Sequence, residues 1–137
     1  MKIDGGCHCG FITYEAMVDP SRVGICHCTD CQILSGSAFR TAVAAPRDGF
    51  KLLTGRPKEY VKTESGAKRV QAFCPECGTP IYSAEPGDSP FYVIRVGTAR
   101  QRAELIPKRQ IWCGSRLAWV SDIGAIMQFE QQPPIPL

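Results

Sequence analysis

Seven of the eight cysteines in this chain fall into three tight clusters: Cys7-His-Cys9, Cys26-His-Cys28-Thr-Asp-Cys31 and Cys74-Pro-Glu-Cys77. Whatever the chain folds into must bring these sulfurs together. A Cys-x-Cys pair is a natural two-sulfur bite on a metal and an awkward disulfide. Thiolate-only ligation favours zinc over harder or more redox-active ions. Structural zinc takes four protein ligands, whereas catalytic zinc keeps three and leaves a position open. Two pairs and a triplet divide into four and three, which predicts two zinc ions per chain, one in a closed site and one in an open site.

The rest of the composition sets the scale. A chain of 137 residues with 44% hydrophobic and 21% charged residues reads as one globular domain. We place it at residues 1–130, followed by a Pro-rich tail over 131–137. The net charge of +3 is mild and does not by itself announce a nucleic-acid partner. Met1 to Gly6 reaches the first metal-type cysteine without the apolar segment of a secretory leader. No apolar run has the length of a membrane span. A cytoplasmic protein is therefore expected, in a compartment where clustered cysteines bind metals rather than form disulfides.

Short strand-like runs punctuated by Gly and Pro predict a mostly-β domain with short helical turns. The runs are Phe11–Ala16, Thr41–Ala45, Phe50–Leu53, Glu59–Thr63, Arg69–Phe73, Pro80–Ala84 and Phe91–Val96, the fourth of them ending near Ser65-Gly66. Helix is expected only around Thr29 to Ser35 and near Ile106 to Gln110. A small β domain gains folding free energy from metal clips.

Cys74-Pro-Glu-Cys77-Gly78 has the composition of a zinc knuckle at the tip of a hairpin, with Gly78 where the chain turns back. One knuckle supplies two sulfurs, and Cys7 and Cys9 are the natural second pair. Cys7, Cys9, Cys74 and Cys77 are therefore expected to form a structural zinc site that joins the amino-terminal strand to the central hairpin. The spacers His8 and His27 are alternative ligands.

The triplet Cys26, Cys28 and Cys31 is expected to hold the second zinc. Thr29 and Asp30 suit the cap of a short helix beginning near Cys31. Three thiolates on Zn²⁺ leave a net charge of −1, a shell that suits a soft thiolate as fourth ligand better than activated water. Zinc lowers a bound thiol's pKa and so presents a nucleophile at neutral pH. Cys113, and behind it His27 or a carboxylate, is the candidate to close this site instead.

The motifs resemble those of the glutathione-dependent formaldehyde-activating family, the S-(hydroxymethyl)glutathione synthase-like proteins that include centromere protein V. The stretches that carry the resemblance are Gly6-Cys-His-Cys-Gly10, Cys26-His-Cys-Thr-Asp-Cys-Gln32 with Ser35-Gly-Ser-Ala-Phe39, Phe73-Cys-Pro-Glu-Cys-Gly-Thr-Pro-Ile81, and Ile111-Trp112 through Arg116 to Trp119. Gln110 stands where many relatives carry His. The resemblance implies an Mss4-like β-tent fold, a structural zinc on Cys7, Cys9, Cys74 and Cys77, and a zinc on Cys26, Cys28 and Cys31 that binds the glutathione sulfur.

The activity it implies is that of a carbon–sulfur lyase or synthase acting in formaldehyde detoxification. A small thiol such as glutathione would add to an aldehyde such as formaldehyde, or the adduct would be cleaved, with Asp30 as a candidate proton carrier. Two other readings remain. In one, both metals are structural and a basic face built from Arg95, Arg100, Arg102, Lys108, Arg109 and Arg116 contacts nucleic acid or protein. In the other, the exposed triplet serves as a zinc buffer or redox sensor.

Overall fold

Side chains that alternate between the interior and the surface organise the described residues into ten strands and one short α-helix. The computed structural model describes residues 1–63 and 68–134. The strands are β1 (Lys2–Gly6), β2 (Thr13–Met17), β3 (Gly24–Cys26), β4 (Arg40–Pro46), β5 (Phe50–Thr54), β6 (Lys58–Lys62), β7 (Arg69–Phe73), β8 (Pro80–Ala84), β9 (Phe91–Arg95) and β10 (Arg109–Ile111), with α1 (Thr29–Ser35) between β3 and β4. They form a three-stranded sheet in the order β1-β2-β5 and a seven-stranded sheet in the order β10-β3-β4-β9-β8-β7-β6. Pairing is antiparallel except where β10 runs parallel to β3. The mostly-β expectation holds, and α1 lies where Thr29 to Ser35 was expected.

One core fills the space between the sheets. Ile3, Tyr14 and Ala16 enter it from the small sheet, and Val43, Ala45, Ala72, Ile81, Tyr82 and Ile94 enter it from the large one. Aromatic rings make the closest tie between the layers. Phe50 of β5 stacks on Tyr92 at 4.7 Å between ring centroids and meets Tyr82 edge-on at 5.2 Å. Tyr14 lies 5.7 Å from Phe50 on the other side. Such contacts contribute about 0.5–1.5 kcal/mol each beyond the area they bury.

The expected helix near Ile106 to Gln110 does not form. Residues 109–111 instead add a strand to the edge of the large sheet, with Lys108 N–H already bonded to the Val23 carbonyl at 2.9 Å. That partner is distant in sequence, so local composition does not reveal it. The run expected from Phe11 begins as a strand only at Thr13, because Phe11 and Ile12 belong to the loop that carries the first cysteine pair. β1, whose Asp-Gly-Gly ending has poor strand propensity, forms by pairing with β2.

Beyond β10 the chain leaves the sheet through two 3-10 segments, Cys113–Ser115 and Ala118–Ala125, and exposes Trp119, Ile126, Met127 and Phe129. Gln131 to Pro134 carry no strand or helix, and residues 135–137 of the expected tail lie outside the described residues. The strand end expected near Ser65-Gly66 lies outside them too.

Gly5 of β1 lies tight against the turn that follows β9. A Cβ there would lie 2.1 Å from the Thr98 carbonyl oxygen and 2.9 Å from Ala99 Cα. Both are backbone atoms that cannot swing aside. Gly5→Ala is expected to cost about 1–3 kcal/mol of stability in urea unfolding. Gly97→Ala, where an added Cβ meets nothing within 4 Å, is expected to stay within about 0.5 kcal/mol of the parent. Equal stability of the two variants would contradict this account of the contact.

Candidate functional site

Two hairpin tips, one from each sheet, converge on the first sulfur cluster. Cys7, His8 and Cys9 occupy the β1–β2 loop, which is closed by Cys7 N–H to the Ile12 carbonyl at 3.0 Å. Cys74 to Gly78 form the β7–β8 loop, closed by Cys74 N–H to the Thr79 carbonyl at 2.9 Å and Gly78 N–H to the Cys74 carbonyl at 2.8 Å. Gly78 turns the chain at φ +78°, a conformation that side chains resist. The sulfurs of Cys7, Cys9, Cys74 and Cys77 all lie within 4.8 Å of one another.

The geometry fits a tetrahedral thiolate site. Cys7 and Cys9 sulfurs are 3.6 Å apart, and Cys9 and Cys74 sulfurs 3.8 Å. A tetrahedron with metal–sulfur bonds of about 2.3 Å has edges of about 3.8 Å. Backbone donors serve the sulfurs: Ile12 N–H reaches Cys7 at 3.1 Å and Glu76 N–H reaches Cys74 at 3.4 Å. The Thr79 hydroxyl, then the Thr79 and Cys9 N–H groups, hold the Cys77 thiol down at about 5. Cys9 goes the other way: the Phe11 N–H lowers it, but desolvation and the three neighbouring sulfurs push it up to about 12. Thiols this close do not all ionise unless a cation lies between them, so the cluster can hold a metal ion.

The second cluster forms where β3 runs into α1. Cys26 ends the strand, Cys28 caps the helix and Cys31 lies in its first turn, with all three sulfurs within 4.8 Å of one another. The cap is Cys28 itself, whose sulfur accepts the Cys31 N–H at 3.3 Å. Thr29 and Asp30, expected as the cap, are instead the first two helical residues. Burial raises all three thiols, yet the Cys31 N–H and the neighbouring sulfurs bring Cys28 below its ordinary value. Cys31 is pushed up to about 12, with burial outweighing the pull of Arg40, and Cys26 is also raised. This set also can hold a metal ion.

Neither residue expected to close the triplet joins it. Among the described residues the metal-compatible group contains three sulfurs and no fourth donor. Cys113 is exposed in the turn after β10. His27 is fully buried, with its ring against Phe39 and its Nε2 2.7 Å from Gln110 Oε1. Gln110 thus serves a structural role at the β10 edge. Gln32 Nε2 donates to the His27 and Ser115 carbonyls at 2.8 and 3.0 Å, fastening α1 to the turn beyond β10. His8, the other alternative ligand, is exposed and lies outside both groups.

The triplet opens into a cleft of about 760 Å³. Its floor is the second face of the large sheet. Strand alternation sends Val43, Ala45, Ala72 and Ile94 into the core, and Arg40, Ala42, Ala44, Gln71, Val93 and Arg95 to the opposite side. The short side chains of Ala42, Ala44 and Ser83 leave the space. Among the described residues six cationic side chains line the cleft, namely Arg22, Arg40, Lys62, Arg69, Arg95 and Arg109, against the single carboxylate of Asp30. Asp30 is bonded to Lys62, and Arg69 meets Glu85 at 3.6 Å. Trp112, at the same cleft, adopts φ +56°, a left-handed backbone that costs a non-glycine residue about 1–2 kcal/mol.

Sequence reading named Arg95 but missed Arg40 and Gln71 as cleft residues. Their signal was the period-2 pattern of β4 and β7, which assigns each to a face once the core face is known. The basic residues read as one surface take different places: Arg95 and Arg109 line the sulfur cleft, Arg95 also lines the adjoining cavity beside Cys7 together with Arg102, and Arg100 pairs with Asp4 at 3.0 Å. Among the described residues no helix is long and apolar enough to cross a membrane.

A protein of Schizosaccharomyces pombe described as an uncharacterized lyase is 25% identical over 93 residues, covering 67% of this chain and 65% of the relative. The chain thus spans somewhat less than two thirds of that protein's length. A crystal structure of a Rhodobacter sphaeroides protein superposes with a TM-score of 0.63 at 18% identity, covering 78% of this chain and 98% of the other, which establishes a shared fold. The family model described as glutathione-dependent formaldehyde-activating enzyme matches residues 2–115, a span that contains both sulfur clusters and the strands that build the cleft. The chain belongs to the glutathione-dependent formaldehyde-activating enzyme family.

Proposed function

We propose that this protein is a zinc-dependent carbon–sulfur lyase or synthase that joins a small thiol such as glutathione to an aldehyde such as formaldehyde, and cleaves the adduct in reverse. The observation that carries this reading is the inequality between the clusters. Four sulfurs meet with tetrahedral spacing at the junction of the sheets, while three meet at the wall of an open cleft. Family membership and the lyase-named relative support the same class of chemistry.

In this reading Cys7, Cys9, Cys74 and Cys77 hold a structural zinc, and Cys26, Cys28 and Cys31 hold a second one. A zinc ion at the triplet supplies a Lewis acid that lowers the pKa of an incoming thiol. The three cysteines would supply three ligands beside the cleft, and the Cys31 N–H donates to the Cys28 sulfur and lowers its pKa. The substrate sulfur adds to the aldehyde carbon, a carbon–sulfur bond forms, and the C=O π electrons become an alkoxide. The thiol's proton ends on that oxygen, which gives a hemithioacetal with no redox change. In this reading Asp30, which lines the cleft and is bonded to Lys62, carries the proton.

Three outcomes test the reading. Metal analysis is expected to find two zinc ions per chain, one of them lost readily to a mild chelator. A single ion, or two of equal inertness, would contradict the open site. Cys74→Ser is expected to release the structural ion and lower the melting temperature by more than about 10 °C. Cys28→Ser should melt close to the parent. Exchange between ¹³C-formaldehyde and glutathione, followed by NMR, is expected to be accelerated by the parent and to fall to the uncatalysed rate with Cys28→Ser. An uncatalysed rate with both proteins would rule out this activity.

A further inference from the structure

Two buried arginines in the cleft wall share a neutral partner. Arg40 and Arg95 are only 9% and 8% exposed. Arg40 Nη1 donates to Gln71 Oε1 at 3.1 Å, and Arg95 Nη2 donates to the same oxygen at 2.8 Å. The Nε–H of each guanidinium is buried without any partner. Neither arginine has a carboxylate within 4.0 Å among the described residues. Buried charges are ordinarily paired, and a carboxylate is the usual bridge between two guanidiniums. Here the bridging side chain is the uncharged isostere of glutamate.

The missing negative charge has to come from outside these three residues. Cys26 and Arg40 face each other across the β3–β4 ladder, so part of the compensation comes from the sulfur triplet. Burial and Arg40 depress Arg95 to about 9 while Cys31 and Cys26 act in the opposite sense, and it stays cationic at neutral pH. Three thiolates around a divalent cation carry only −1, which leaves the pair in excess. Among the described residues Arg22 and Arg109, elsewhere on the cleft wall, also lack a carboxylate partner, and the lining carboxylate, Asp30, is held by Lys62. An ammonium group entering this cleft meets no unpaired carboxylate among these residues, whereas an anion meets two buried guanidiniums.

We propose that Arg40, Gln71 and Arg95 form an anion subsite for the thiol substrate, so that the cleft selects thiols bearing a carboxylate, sulfonate or phosphate over neutral or cationic ones. The proposal rests on the thiol-binding reading of the triplet. It adds a rule for which thiols bind, set by residues that hold no sulfur ligand. Gln71 supplies the specificity by being neutral: it orients both guanidiniums and leaves their charge to the ligand.

Calorimetric titration of the zinc-loaded protein with four short thiols tests this directly. 3-Mercaptopropionate and 2-mercaptoethanesulfonate are expected to bind at least about tenfold more tightly than 2-mercaptoethanol. Cysteamine should bind most weakly. Gln71→Glu replaces the bridge by a carboxylate of the same shape. It is expected to reduce the anionic preference to within about twofold, with zinc content unchanged. Arg95→Lys keeps the charge and is expected to retain a preference for the anionic thiols. Binding of all four thiols without regard to charge, or an anionic preference intact in Gln71→Glu, would overturn the subsite while leaving the thiol reading in place. If none of the four thiols binds, the thiol reading fails and the subsite fails with it.

Discussion

The convergence of two hairpin tips on one set of sulfurs is the constraint from which the rest of this structure follows. The β1–β2 loop belongs to the small sheet and the β7–β8 loop to the large one. Sulfurs within 4.8 Å of one another therefore fix how the two layers face. With that angle set, Phe50 meets Tyr82 and Tyr92 across the layers, and Gly5 can lie against the Thr98 carbonyl. A three-stranded sheet has little core of its own. Its stability depends on this docking, and clustered thiols favour it only when a cation absorbs their charge.

The large sheet then does two jobs with its two faces. One face is apolar and closes the core. The other carries short side chains over β4 and β8, with arginines at Arg40 and Arg95, and so makes a cleft with charged walls. The sulfur triplet lies at the edge of that face because β3 ends in Cys26 and α1 begins at once. Stability and chemistry are thus separated by strand alternation, since adjacent residues of one strand serve opposite sides. Ala44 and Ala45 illustrate it: the first lines the cleft and the second is fully buried in the core.

Local patterns in the sequence proved reliable where the interaction that makes them is also local. Helix α1 was legible because its cap, its first turn and its glycine stop lie within nine residues, from Cys28 to Gly36. Even there Cys28 displaced Thr29 as the cap, since its sulfur already faces the helix N–H groups. The strands from β4 to β9 were legible from composition and turn residues, with ends displaced by a residue or two. β10 was not, because a three-residue strand depends on a partner more than eighty residues earlier. The run of basic residues is likewise divided by the fold, with Arg109 at the sulfur cleft, Arg102 at the cavity beside Cys7 and Arg100 paired with Asp4.

The sequence by itself determined that sulfurs come in groups of four and three, because ligand number follows from residue type and spacing. It also determined mostly-β architecture, since alternation and turn chemistry are properties of neighbouring residues. Only the tertiary structure decided which groups meet across the chain. It left Cys113 outside the triplet, tied Gln110 to His27, and placed Gln71 between Arg40 and Arg95. Strand register makes those choices, and register is set by packing and pairing between segments distant in sequence. The kind of chemistry could be read from the chain, whereas the charge that surrounds it required the fold.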